Sequence, residues 1–96
     1  MTWRFLSPAE RDVAEALAYY ERASPGLGLA FLDELENTVR RILQQPEAWA
    51  RVSPHHRRCR MRRFPYGVIY SIQGEVILIA AVFHLRRHPD SWRKQL

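Results

Sequence analysis

Arg58-Cys59-Arg60-Met61-Arg62-Arg63-Phe64-Pro65-Tyr66-Gly67-Val68-Ile69-Tyr70-Ser71-Ile72 is the stretch where the period of the sequence changes. Upstream of it apolar residues recur at helical spacing, and within it they alternate. In Arg58–Arg62 the arginines share one face while Cys59 and Met61 share the other, as a half-solvated strand requires. Phe64-Pro65-Tyr66-Gly67 is expected to break and turn that strand, and Val68–Ile72 to form the next. Gln73-Gly74-Glu75 is short enough for a hairpin turn into Val76–Phe83. That last run is apolar on both faces, which predicts a central strand covered on part of its second side.

Working upstream, Ser7-Pro8-Ala9-Glu10 reads as a helix start, with Ser7 as cap and Glu10 completing the capping box. Ala9, Val13, Ala16, Leu17 and Tyr20 then make one apolar stripe. Ser24-Pro25 repeats the cap-plus-proline signal beside Gly26 and Gly28. A second helix is expected from about Pro25 to Gln45, burying Phe31, Leu32, Leu35, Val39, Ile42 and Leu43 and ended by Pro46. Thr2–Leu6 reads as a short opening strand that must join the sheet beside Val76–Phe83. Residues 46–56 read as a connection, and the tail from Leu85 to Leu96 as a closing helical turn. The order is β-α-α-β-β-β. It predicts an α/β two-layer sandwich (α+β), with a helix hairpin packed on a mainly antiparallel four-stranded sheet.

Length and composition narrow the function. The chain has 96 residues, which predicts one domain over 1–96 with a modest core. A single cysteine, Cys59, excludes a disulfide framework and falls on the buried face of its strand. The histidines and Cys59 lack zinc spacing, so neither metal nor cofactor is expected. No Gly-rich phosphate loop is present, and Glu10, Asp12 and Glu15 are explained as helix capping and solvation. No signal-peptide pattern opens the chain, and the longest apolar run falls far below the roughly 20 residues of a membrane-spanning helix. A cytoplasmic, non-membrane protein is therefore expected.

Charge is distributed unevenly. The formal net charge is +5, yet residues 8–50 carry eight acids against four arginines, and residues 51–96 carry ten basic residues against two acids. A basic surface in the C-terminal half would attract an anionic partner. Its densest part is Arg51, His55, His56, Arg57, Arg58, Arg60, Arg62 and Arg63, with no intervening acid. Like charges at alternate positions of a strand repel unless a partner relieves them, and the arginine fork suits carboxylate and phosphate. A second group, His84, Arg86, Arg87, His88, Asp90 and Trp92, follows the central strand. His84 has the chemistry of a general base or phosphate contact, or of a backbone hydrogen-bonding residue at a strand end. Arg87 and Asp90 are expected to pair, and Trp92 to anchor the tail by packing.

Taken in order, these pieces resemble the ParE/RelE superfamily of type II toxin–antitoxin toxins, and its ParE-like branch most closely. The resemblance rests on Phe5-Leu6-Ser7-Pro8-Ala9-Glu10-Arg11-Asp12, on Tyr19-Tyr20 with Phe31-Leu32-Asp33-Glu34-Leu35, and on Arg62-Arg63-Phe64-Pro65-Tyr66-Gly67-Val68-Ile69-Tyr70. The closing Val82-Phe83-His84-Leu85-Arg86-Arg87-His88-Pro89-Asp90-Ser91-Trp92 completes it.

The resemblance implies a small toxin neutralised by a ParD-like antitoxin whose C-terminal segment wraps it, in a heterotetramer or larger assembly. For the ParE-like branch, associated with plasmid stabilization, it implies inhibition of DNA gyrase without catalysis. The alternative it implies is RelE-like endoribonuclease action on mRNA in the ribosome. At or near the place of a nuclease tyrosine stands Trp92, whose indole has no usable basicity, and Arg93-Lys94-Gln95-Leu96 supplies no replacement. A nuclease would then have to use His84 or His88 with Arg60, Arg62 and Arg86. Target or antitoxin binding is expected at Arg58, Arg60, Arg62, Arg63, His84, Arg86, Arg87 and Trp92. A third reading, a non-toxic nucleic-acid-binding module, requires stacking aromatics interleaved with the arginines, which the sequence lacks.

Overall fold

A computed structural model describes residues 1–87 and 90–96; His88 and Pro89, including the closing-motif and nuclease expectations placed on them, lie outside the described residues. The elements are β1 (Thr2–Phe5), α1 (Ser7–Ala23), α2 (Leu27–Gln44), β2 (Ala50–Arg51), β3 (Arg57–Arg60), β4 (Tyr66–Gln73), β5 (Val76–His84) and a 3-10 turn (Ser91–Gln95). The α+β sandwich with its helix hairpin is as expected. The sheet, however, has five strands in the order β1-β5-β4-β3-β2. The extra strand is Ala50–Arg51, which pairs antiparallel with Arg57 and Arg58 inside the predicted connection. Two residues are too few for an alternating pattern to register.

β1 lies parallel to β5, from Thr2 opposite Val76 to Phe5 opposite Ile79, and the remaining pairs are antiparallel. β4 begins at Tyr66, so the expected break is confined to residues 61–65 and Tyr66-Gly67 already belong to the ladder. Pro65 is tolerated because it sits just ahead of the strand. Tyr66 N–H and C=O meet Phe64 and Met61 across the loop.

Both helix starts differ from the capping expectation. Leu6 is the cap position of α1, Ser7 is already helical, and no side chain caps this end. At α2 the cap is Gly26, with φ +88°, a left-handed conformation that glycine adopts without steric cost. Its exposed amides are served by Glu21, whose carboxylate accepts the N–H of Gly26 at 3.1 Å and of Gly28 at 3.1 Å. Gly28 marks the closest approach of the helices: a Cβ there would stand 2.7 Å from Leu17 Cδ1 and 3.0 Å from the Leu17 carbonyl oxygen.

The core lies between the helices and one sheet face. Phe31, Leu35, Val39 and Ile42 of α2 meet Cys59, Met61, Val68, Tyr70, Ile77, Ile79 and Val82. Tyr20, Phe31, Phe64 and Tyr66 form an aromatic group with ring centroids 4.9–6.1 Å apart. A bulge sets the rest. Ile69 pairs with Ala81 while the next residue, Tyr70, pairs with Ile79, so Ala80 is the extra residue of β5. The phase of β5 flips there: Ile77, Ile79 and Val82 face the helices, and Ala81 and Phe83 join Ile69 and Trp92 on the opposite side. Past the bulge β5 is therefore covered by apolar neighbours on both faces.

Candidate functional site

The arginine strand and the strand-end group were expected to act together. The fold divides them between two faces. Cys59 points into the core, so Arg58 and Arg60 stand on the face away from the helices, in register with Ile69 and Gly67. Phe83 lies beside Gly67 there, and a Cβ on Gly67 would come within 2.8 Å of its ring. Trp92 is buried against Phe83 with ring centroids 6.2 Å apart, so the tail is anchored by packing as expected. Arg93 covers the indole at 4.6 Å. Among the described residues Arg58 and Arg60 meet no carboxylate, and Arg86, just past the end of β5, is exposed.

His84 projects to the helix side with its ladder partner Tyr66, the ring centroids 5.1 Å apart. Its Nδ1 accepts the backbone N–H of Arg86 at 3.1 Å and of Arg87 at 3.0 Å. In the neutral ring the proton therefore resides on Nε2, and the only basic lone pair is engaged by backbone. Arg87 turns the same way, its guanidinium 4.4 Å from the Tyr19 ring centroid and 3.5 Å from the Tyr66 hydroxyl. Asp90 meets Arg93 at 3.4 Å instead of the expected Arg87. Arg62 is positioned through its backbone N–H, which Glu34 accepts at 3.2 Å, and Arg63 lies over Phe64 at 5.5 Å.

A cleft of about 210 Å³ opens between α1, the end of β5 and the tail, lined by Asp12, Glu15, Tyr19, Tyr66, His84 and Arg87. Burial raises the Tyr66 phenol pKa, and Arg87 acts in the opposite direction. Asp12, read in the sequence as solvated, is half-buried. Its carboxylate accepts the Val82 N–H at 2.9 Å and the Gln95 amide at 3.0 Å. Burial is the main cause that pushes its pKa up, Glu15 adds to it, and the two hydrogen bonds oppose it. The missed signal is positional: Asp12 falls three residues after Ala9 and four before Ala16, within the apolar stripe.

Other candidates are tied to local backbone or buried. Arg57 Nη1 donates to the Glu47 and Trp49 carbonyls, and Arg51 Nη1 to Pro54. Cys59 is fully buried, and burial raises its pKa, which keeps the thiol protonated and unreactive. Among the described residues, no three His, Cys, Asp or Glu side chains converge as a metal site, and no helix is long and apolar enough to cross a membrane.

Two helices packed on one face of this mixed five-stranded sheet match the fold of the RelE/ParE toxins. The family model of the ParE toxin of type II toxin-antitoxin system, parDE, matches residues 4–89. Toxin ParE2 of Mycobacterium tuberculosis, in strains CDC 1551 / Oshkosh and H37Rv, is 36% identical over 87 residues, covering 85% of this chain and 79% of the relative. A solved chain from the chromosomal ParDE TA system of P. aeruginosa superposes with a TM-score of 0.76 at 18% identity, covering 88% of this chain and 95% of its own. The chain belongs to the ParE family of the ParE/RelE superfamily. It is the toxin component of a type II toxin–antitoxin system, a class defined by a cognate antitoxin.

Proposed function

We propose that this toxin inhibits DNA gyrase by binding it, without catalysis, and that a ParD-like antitoxin neutralises it by covering the same basic surface. The observation that carries this reading is the state of His84. A general base needs a lone pair directed at substrate, and both backbone bonds to Nδ1 must break before His84 can supply one. Arg60, its expected phosphate-holding companion, projects from the other side of the sheet. Trp92 is buried and offers no acid–base group. What remains is a surface suited to contact: Arg58, Arg60 and Arg86 for an acidic partner, with Arg62 and Arg63 on the adjoining loop. Gyrase as target places the toxin's action in the cytoplasm.

The test is supercoiling by gyrase against a titration of purified, antitoxin-free protein, with trapped DNA cleavage read on the same gel. Dose-dependent loss of supercoiling is expected. Unchanged supercoiling with folded protein, together with ribosome-dependent cleavage of mRNA, would replace this reading with the RelE-like one.

A further inference from the structure

At the sheet edge formed by β2, a second cleft of about 300 Å³ lies between the β2–β3 hairpin and the end of β4. Arg51, His55, His56, Arg57 and Ser71 line it, with Glu47 as the carboxylate on its wall. Its donors are oriented from behind. Arg57 uses one terminal nitrogen on the Glu47 and Trp49 carbonyls, at 2.9 and 2.8 Å, leaving Nε and Nη2. Arg51 uses one on Pro54 at 2.9 Å. Ser53 Oγ accepts the His55 N–H at 3.3 Å and lies 3.0 Å from His56 Nδ1. That contact holds the His56 ring in place, and in the imidazolium both ring nitrogens are donors.

Two guanidinium groups held on backbone carbonyls, an imidazole and a hydroxyl line one small cleft. We propose that it is a phosphate-binding site, taking the phosphoryl group of a free phosphate or nucleotide or of a nucleic-acid backbone. Planar arginine forks match phosphate oxygens, and donors already held by backbone carbonyls lose little freedom on binding. Among the described residues, Arg57 and Arg51 meet no carboxylate within ion-pair distance, so their charge is available to a ligand. Glu47 opposes an anion and tunes the affinity downward. The site lies on a different sheet edge from the strand-end group and stands independently of the gyrase reading.

The test follows the imidazole resonances of His55 and His56 in the full chain while inorganic phosphate is added at constant ionic strength. A saturable shift is expected, with the His56 pKa, lowered in the free protein by burial and by His55, moving upward as phosphate favours the imidazolium. Arg51→Gln, an exposed change, should weaken phosphate by at least about fivefold, whereas Glu47→Gln should tighten it. Adenosine monophosphate and a single-stranded oligonucleotide without terminal phosphate then separate the sources. Preference for the first assigns a phosphomonoester, and for the second a nucleic-acid backbone. Absence of a saturable shift, or equal affinity in folded Arg51→Gln, would overturn the proposal.

Discussion

The carboxylate of Asp12 on α1 accepts the backbone N–H of Val82 on β5 at 2.9 Å, joining residues 70 positions apart. β1 ends at Phe5, opposite Ile79, so the outer edge of β5 continues without a strand beside it. Asp12 and Gln95 occupy that edge: Gln95 donates to Asp12 and, at 2.9 Å, to the Ala80 carbonyl. A helix side chain and a tail side chain thus do what strand pairing does elsewhere in the sheet. Asp12→Ala leaves the Val82 N–H unserved, and chemical denaturation should show a loss of about 1–3 kcal/mol.

Asp12 also gives the protein a pH signature. Its folded pKa is raised above 3.8, so between the unfolded and folded values the native state binds more protons than the unfolded one. Stability from this group is therefore present below about pH 4 and is lost as pH rises through the folded pKa. Asp12→Asn removes the titration. The stability difference between the native chain and Asp12→Asn should change with pH across that window and become constant above it. A difference independent of pH would contradict the assignment.

Gly28 tests the helix crossing. Gly28→Ala drives a methyl group into the Leu17 carbonyl oxygen, a backbone atom that cannot rotate away. The expected cost is about 1–3 kcal/mol, despite the better helix propensity of alanine. Thermal unfolding of a domain this size should move down by roughly 4–8 °C per kcal/mol.

Met61 and Arg60 are neighbours with opposite expectations. Met61 is buried in the core, so Met61→Asp places an unpaired charge there and should cost more than about 4 kcal/mol, abolishing cooperative unfolding. Arg60 is exposed, and its side chain meets no carboxylate among the described residues. Arg60→Glu should leave the melting temperature unchanged and weaken gyrase or antitoxin binding about tenfold in a titration.

Trp92 anchors the tail through Phe83, Ile69 and Ala81. Trp92→Ala should raise deuterium uptake at residues 91–96 and at the Val82 amide, because Gln95 is then no longer held over Asp12. Uptake along α2 should stay as it is, since that helix packs on the other sheet face.

Local chemistry was sufficient for much of this. Period 3.6 in Ala9–Tyr20 and Phe31–Ile42, and period 2 in Arg58–Met61, state which faces are apolar, and faces determine a two-layer packing. The arginine-rich surface, the buried Cys59 and the anchoring Trp92 were legible for the same reason. What the chain could not reveal along its length is how distant pieces meet. The Ala80 bulge changes the phase of β5, and its apolar neighbours on both sides hide the change from any periodicity. Ser7 and Ser24 look like caps, yet backbone geometry at Leu6 and Gly26 passed them over, and Glu21 serves α2 from another helix. Sheet register separated Arg60 from His84 and turned His84 Nδ1 onto backbone. Asp12 found its donors 70 and 83 residues away. Patterning follows from each residue's preference for water or core, whereas the partners of its polar atoms follow from which strand ends where. That is settled when the sheet closes against the helices.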